Sequence, residues 1–255
     1  MSNYINKYSN QSAYDADNTK QYPNTSLVGT EIVFAMAFGG LTVKYNIVDP
    51  TQEVTLFNGG GGSSTSSSTS GSGSGSGGAL PTRMIVDGVE ETPINTWRFE
   101  TAGEHIVQYE FADNIVPAGF MADGGIPATE AIIGDDITEI SFDSGTNIGA
   151  FTNSTLTTAT IGNGVTTIGQ DAFVGCMSLT SVTIGTGITS IGGSAFADSN
   201  LSLASVTVNA TTPPTLGAGA FNQSANNMVI YVPAASVNDY KSDWYEWAES
   251  IQAIS

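Results

Sequence analysis

Val165–Ile188 reads VTTIGQDAFVGCMSLTSVTIGTGI, and Ile188–Val208 reads ITSIGGSAFADSNLSLASVTV. The two stretches are versions of one pattern. A looser copy, ITEISFDSGTNIGAFTNSTLTTATIGNGV, precedes them over Ile137–Val165. The pair Ala172-Phe173 returns as Ala195-Phe196 and Ala220-Phe221, and stands earlier as Ala150-Phe151. Spacings in the low twenties point to a solenoid of stacked coils. One coil cannot bury its own apolar side, so its neighbours must supply the core. Such a stack offers a long surface for binding and does not by itself offer a reaction.

Alternation within each coil assigns its faces. Leu179, Val182 and Ile184 are read as pointing inward, which turns Ser181 and Thr183 outward, because strand side chains alternate between faces. The same logic exposes Thr158 and Thr160 one coil earlier, and Ser205 and Thr207 one coil later. The predicted outer face is a ladder of hydroxyls. Threonine suits strands on propensity alone, and the functional alternative is a surface for polar ligands. On this reading the face lacks aromatic rings for sugars to stack on.

The run from Ile168 and Gly169 through Ala172, Phe173, Cys176, Leu179, Val182 and Ile184 resembles the BspA-like leucine-rich repeat. Ile191, Gly192, Ala195, Phe196, Leu203, Val206 and Val208 match in the next coil, with Ser199 where the family's cysteine would sit. The closing segment, NATTPPTLGAGAFNQ to YKSDWYEWAESIQAI, is similar to the family's usual ending. The resemblance is strong over 137–255 and weaker back to about 103. It implies a surface-exposed binding or adhesion protein, although repeat architecture hosts many functions. A degraded coil is expected from Ile115, where IVPAGF ends in Phe120. After Pro213-Pro214 and the strand MVIYV, Pro233 is placed at the first turn of a helix. Val237, Tyr240, Lys241, Trp244, Trp247, Ala248 and Ile251 keep helical spacing, so this helix is expected to cap the stack. Tyr245 lies off that stripe among Asp239, Asp243, Glu246 and Glu249. That aromatic–acidic patch is a second candidate for binding glycan.

Upstream, residues 1–39 are polar for most of their length, with Tyr4, Tyr8, Tyr14 and Tyr22 spaced through Asn, Ser and Gln. A segment of this kind buries little of its own surface, and the tyrosines give it anchors for lying on a partner. The stretch SAYDADNTKQYPNTSLV resembles the opening of structural proteins in tailed phages of gut anaerobes, the crAss-like group among them. The resemblance implies particle attachment through the four tyrosines. The start carries no basic segment followed by an apolar core, so no secretory signal is read there. The apolar run Ile32–Phe38 is too short to span a bilayer.

Residues 40–114 are read as a small β-module. LTVKYNIVD and EVTLFN alternate, RMIVDGVEE is a hairpin turning on Asp87-Gly88, and WRFE and EHIVQYEF follow. Between them, 59–78 is twenty residues of Gly, Ser and Thr only. This tract is read as a long loop inside the module in preference to a linker between domains.

Charge narrows the partners. The net charge is −18 over 255 residues. Residues 1–57 hold five acids and three lysines, while 80–255 hold nineteen acids against Arg83, Arg98 and Lys241. Such a surface opposes nucleic acid, whose phosphates need Lys and Arg, and anionic membranes. A solvated acidic surface is the plain reading, and a cation or a basic partner is the alternative.

No chemistry emerges. The one cysteine, Cys176, excludes an internal disulfide and sits at an inward repeat position. The single histidine, His105, lies in a strand with no nucleophile placed beside it by the sequence. Asp135, Asp136 and Asp143 lack calcium-loop spacing, and no His/Cys group has zinc spacing. No catalytic residue, cofactor or metal is assigned.

The fold expected is therefore mainly β: an extended arm over 1–39, a small β-module over 40–114, and over 115–255 a BspA-like solenoid closed by a C-terminal helix. The function expected is a non-enzymatic phage virion protein on the particle surface, a capsid-exposed head fibre or decoration protein or a tail-associated fibre. Its arm would hold other virion proteins, and its repeats would meet a cell-surface glycan or protein receptor. Neither nucleic acid nor membrane insertion is expected. A homo-oligomer is, with a trimer implied by resemblance to phage fibres. The alternative is a bacterial cell-surface adhesin of the BspA-like type.

Overall fold

A computed structural model describes residues 39–58, 80–122, 126–199 and 202–255. The arm, the Gly/Ser/Thr tract and the four tyrosines at 4, 8, 14 and 22 lie outside the described residues. The chain is mainly β. Its strands are β1 (Leu41–Ile47), β2 (Val54–Thr55), β3 (Arg83–Val86), β4 (Val89–Glu91), β5 (Thr96–Trp97), β6 (Gly103–Glu110), β7 (Ile115–Val116), β8 (Ala128–Ile133), β9 (Glu139–Ile140), β10 (Phe142–Asp143) and β11 (Ile148–Gly149). Further on come β12 (Thr158–Ile161), β13 (Thr167–Ile168), β14 (Ser181–Ile184), β15 (Ser190–Ile191), β16 (Ser205–Val208), β17 (Thr215–Leu216), β18 (Val229–Val232) and β19 (Ile251–Ala253).

Each repeat contributes one strand to each of two sheets. From β8 onward the larger sheet is parallel and in register, running β8-β12-β14-β16-β18-β19. A second parallel sheet runs β7-β9-β13-β15-β17. Between them, Ala172, Phe173, Leu179, Val182 and Ile184 of one coil meet their counterparts in the next, all buried. Phe151, Phe173, Phe196 and Phe221 form a single file, with ring centroids 4.8, 5.1 and 5.6 Å apart and planes within 10° of parallel. That spacing tracks the roughly 4.8 Å separation of neighbouring strands. A one-coil repeat of Phe under a parallel ladder places the rings at this spacing, and here they lie face to face. Coils this close leave no room for side chains where their turns cross. A Cβ on Gly187 would overlap the carbonyl oxygen of Asn163, and one on Gly164 would overlap that of Asp135.

The larger sheet does not stop at β8. β1 pairs antiparallel with β8 on one side and with β6 on the other, and β3 and β4 complete ten strands. Strands from both sides of residue 114 thus belong to one sheet. Likewise β1 and β2, before the Gly/Ser/Thr tract, pair with β6 and β5 after it. The Asp87-Gly88 turn has φ of 48° and 82°, the left-handed pair that a two-residue hairpin needs. Inside this region, Tyr45 donates to the Leu56 carbonyl at 2.7 Å, and its hydroxyl lies 2.7 Å from that of Tyr109. Phe57 stacks on Phe120 at 5.0 Å, so one hydrophobic core runs from Leu41 to Ile251.

The end of the chain departs from the expected single helix. Among the described residues only Val237–Asp243 is α-helical, here α1, and it follows a 3-10 turn over Ala234–Ser236. Trp244 leaves helical geometry at φ −105° and ψ 50°, Tyr245–Ser250 is a second 3-10 turn, and Ile251 opens β19. Two tertiary demands override the local period. The Trp244 indole N–H donates to the Pro214 carbonyl at 2.9 Å, and Ile251 finds a strand partner in Ile230. Tyr240 and Trp244 are buried, and both Trp244 and Trp247 meet Phe221. Lys241, on the same proposed stripe, is exposed.

Truncating one ring in the file should be costly. Phe173→Ala is expected to destabilise the protein by about 3–5 kcal/mol, read from chemical denaturation. An unchanged denaturation curve would contradict the ring's position between Phe151 and Phe196.

Candidate binding surface

Alternation sends Ala159, Val182, Val206 and Ile230 into the core and their neighbours to the outer face of the ten-stranded sheet. In-register pairing aligns those neighbours in two rows. Thr158, Ser181 and Ser205 form one row, and Thr160, Thr183 and Thr207 form the other. All six predicted residues are half-buried on this face. Within a row, hydroxyls recur at about 4.8 Å from strand to strand, and the two rows stand about 6.6 Å apart, two residues along a strand.

Each row continues past the hydroxyls. The first runs on to Glu130 and Lys44 at one end and Val229 at the other. The second runs to Ile132 and Thr42, and to Tyr231 beside Thr207. Tyr231 corrects the expectation that the face lacks an aromatic ring. Ile230 and Val232 occupy the inward positions of MVIYV, so Tyr231 must face out. The same alternation that exposed Thr183 would have found it, had the last strand been given the register of the coils.

Charge is graded along the sheet. At the β1 end, Lys44 lies 3.2 Å from Glu130 and 3.8 Å from Glu104. Arg83 pairs with Glu110 at 2.9 Å and Glu90 at 3.2 Å. The hydroxyl rows then carry no formal charge, and the aromatic end follows. Tyr245, the other predicted site residue, is 74% exposed. Its hydroxyl lies 3.4 Å from Glu246, an aromatic–acid pair on the second 3-10 turn.

A separate set of threonines is structural, and the sequence reading did not distinguish it. Thr157 and Thr180 donate their hydroxyls to the carbonyls of Thr129 and Thr157. Thr166 and Thr189 do the same to Thr138 and Thr166. Each hydroxyl reaches the equivalent residue one coil back. Their position just before each strand was the available signal.

The residues weighed for chemistry have other partners. His105 Nδ1 is 2.7 Å from Asp87 Oδ2, and Nε2 is 2.9 Å from the Thr101 carbonyl oxygen. Asp87 also accepts from the Ile106 amide. Asp143 closes its own turn with Gly145 and Thr146. Asp135 accepts from the Asn163 amide. Among the described residues no His/Cys/Asp/Glu group is arranged to hold a metal ion, and no helix is long and apolar enough to cross a membrane.

Cys176 lies in the core, donating to the Phe151 carbonyl at 3.1 Å, with the Ser154 hydroxyl 3.2 Å away. Its counterparts in the following coils, Ser199 and Ser224, are buried hydroxyls with no hydrogen-bond partner. A cysteine tolerates this apolar column better than a serine, since an unmet hydroxyl carries a desolvation cost.

The family model for the BspA type leucine rich repeat region matches residues 136–254 in six copies. Over that span the chain is similar to a non-enzymatic interaction family, which speaks for surface adhesion or protein interaction. The match begins one coil after β7 and excludes β1, β6, β3 and β4, the antiparallel strands of the ten-stranded sheet. No curated protein matches the chain.

Burial pushes the Cys176 thiol up from its ordinary value of 9.0 to about 11. The folded state therefore keeps a proton that the unfolded state loses. Its contribution to stability is complete below pH 9 and falls away as the pH rises toward 11. Tyr45, Tyr109 and Tyr240 are pushed in the same direction by burial and add to the fall at higher pH. Chemical denaturation between pH 8 and pH 11 should show stability declining, with a shallower decline in Cys176→Ser. Identical slopes in the two proteins would contradict the assignment.

Proposed function

We propose that this chain is a non-enzymatic structural protein of a phage particle, a capsid-exposed head fibre or decoration protein or a tail-associated fibre. Residues 1–39 attach it to other virion proteins through Tyr4, Tyr8, Tyr14 and Tyr22. The repeats then display the hydroxyl rows and Tyr231 toward a cell-surface glycan or protein receptor, with Tyr245 as a second contact. The binding half of this reading is carried by the continuous outer face, where Thr160, Thr183, Thr207 and Tyr231 stand in one row. Repetition of one chemical group at a fixed interval suits a ligand that itself repeats, and an aromatic ring beside hydroxyls suits a sugar. The attachment half rests on the resemblance of SAYDADNTKQYPNTSLV to phage structural proteins. Acidic repeats hold displayed copies apart and soluble, and the resemblance to fibres implies a homotrimer.

A second reading is a bacterial surface adhesin of the BspA-like type, favoured by the repeat match over 136–254. The two part company at the N-terminus. An arm without a core draws its binding energy from a partner, whereas the repeats own a continuous core. Deleting 1–25 should abolish co-sedimentation with purified particles while circular dichroism keeps its β signal. A deletion protein that still pellets with particles would place attachment elsewhere and raise the adhesin to first place.

A further inference from the structure

The last strands of the ten-stranded sheet change the chemistry of its outer face. On β18, Ile230 and Val232 are buried in the core, so Val229 and Tyr231 stand together on the outside, both half-buried. Thr207 of β16 pairs with Tyr231 on one side, and Gln252 of β19 pairs with it on the other. Gln252 faces out because its neighbour Ile251 is buried opposite Ile230. Strands lie about 4.8 Å apart, so a short apolar strip, tipped by a phenol, is flanked closely by a hydroxyl and by a primary amide.

The polar groups around this strip are not tied up within the chain. Threonines at the strand entrances donate to carbonyls one coil back. Among the described residues, by contrast, the side chains of Thr183, Thr207, Tyr231 and Gln252 have no hydrogen-bond partner. Hydroxyls and amides both donate and accept, as sugar hydroxyls do, whereas a carboxylate or sulfate can only accept. Charge points the same way. From Thr158 to Gln252 neither row carries a formal charge. Lys44, further along the same face, sits between Glu130 and Glu104. The chain as a whole carries −18, a field that repels polyanions.

We propose that Val229, Tyr231 and Gln252, with Thr207, form a subsite for an uncharged pyranose sugar, from which an extended neutral glycan runs along the hydroxyl rows toward Thr158. This rests on the reading of the outer face as glycan-binding, and it names the ligand's class and the residue that discriminates. A pyranose is itself amphipathic, with a C–H face and a rim of hydroxyls. Its C–H face lies on Val229 and the Tyr231 ring, and its rim reaches Thr207 on one flank and Gln252 on the other. Gln252 is the specificity residue. Its amide donates to and accepts from sugar hydroxyls and offers an anionic sugar no counter-charge.

Binding of the immobilised full chain to two sets of soluble probes tests this. The neutral set is mannan, galactan and a β-glucan, and the acidic set is polygalacturonate with sialylated and sulfated mucin glycans. Binding to a neutral probe is expected, unchanged by added salt because no ion pair is formed. Tyr231→Ala and Gln252→Ala should each weaken it about fivefold to tenfold. Both side chains face outward, so both variants should keep the parent's denaturation curve. Should Tyr231→Ala fail to fold, Gln252→Ala decides, since that side chain is exposed. Preference for the acidic probes overturns the proposal and leaves a glycan-binding face standing. Neutral binding that neither variant weakens overturns the subsite and again spares that reading. Binding to no probe of either set overturns both.

Discussion

In-register parallel pairing between successive coils is the constraint on which the rest of this protein depends. It sets a repeat of about 4.8 Å along the stack, and everything periodic in the sequence is fitted to that interval. The four phenylalanine rings stack because of it. Glycine is required where turns of neighbouring coils touch, as at Gly164 and Gly187. Threonine hydroxyls at the strand entrances bond one coil back to the next. The outward hydroxyls become two straight rows for the same reason. Core, turns and surface are thus consequences of a single spacing.

A parallel stack has two open ends, and here they are treated differently. At the start, β1 turns the ladder antiparallel and hands it to β6, β3 and the short acidic strand β4. At the finish, Trp244 and Trp247 lie against the last ring of the phenylalanine file, and β19 adds a final three-residue strand. Short edge strands bearing charge are poor templates for adding another chain. The face between these ends grades from paired charges through hydroxyls to Tyr231, so a ligand laid along it would meet different chemistry at each end.

Much of this was legible in the sequence, for a physical reason. A repeat states its own register, so the inward residues Leu179, Val182 and Ile184 and the outward Ser181 and Thr183 follow from alternation alone. The hairpin at Asp87-Gly88 was legible because only such a pair fits its turn. What escaped depends on pairing at a distance. Helical spacing from Val237 to Ile251 was locally sound, yet Ile251 serves a strand because β18 offers it a partner. Tyr231 was overlooked because the strand that carries it lies outside the regular coils. That β1 joins β8 could not be read at all, since 41 and 133 are linked only through the sheet.

The central claim is that one ladder couples the antiparallel strands to the repeats. Hydrogen exchange of full-length Val43→Asp tests it most directly. Val43 is fully buried and pairs with both Val107 and Ala131. Coils that touch only their neighbours should pass the damage on in steps. The account predicts that amide protection falls most in β6 and β8, less in β12, and little in β18. Full protection of β8, with loss confined to residues 40–114, would contradict it.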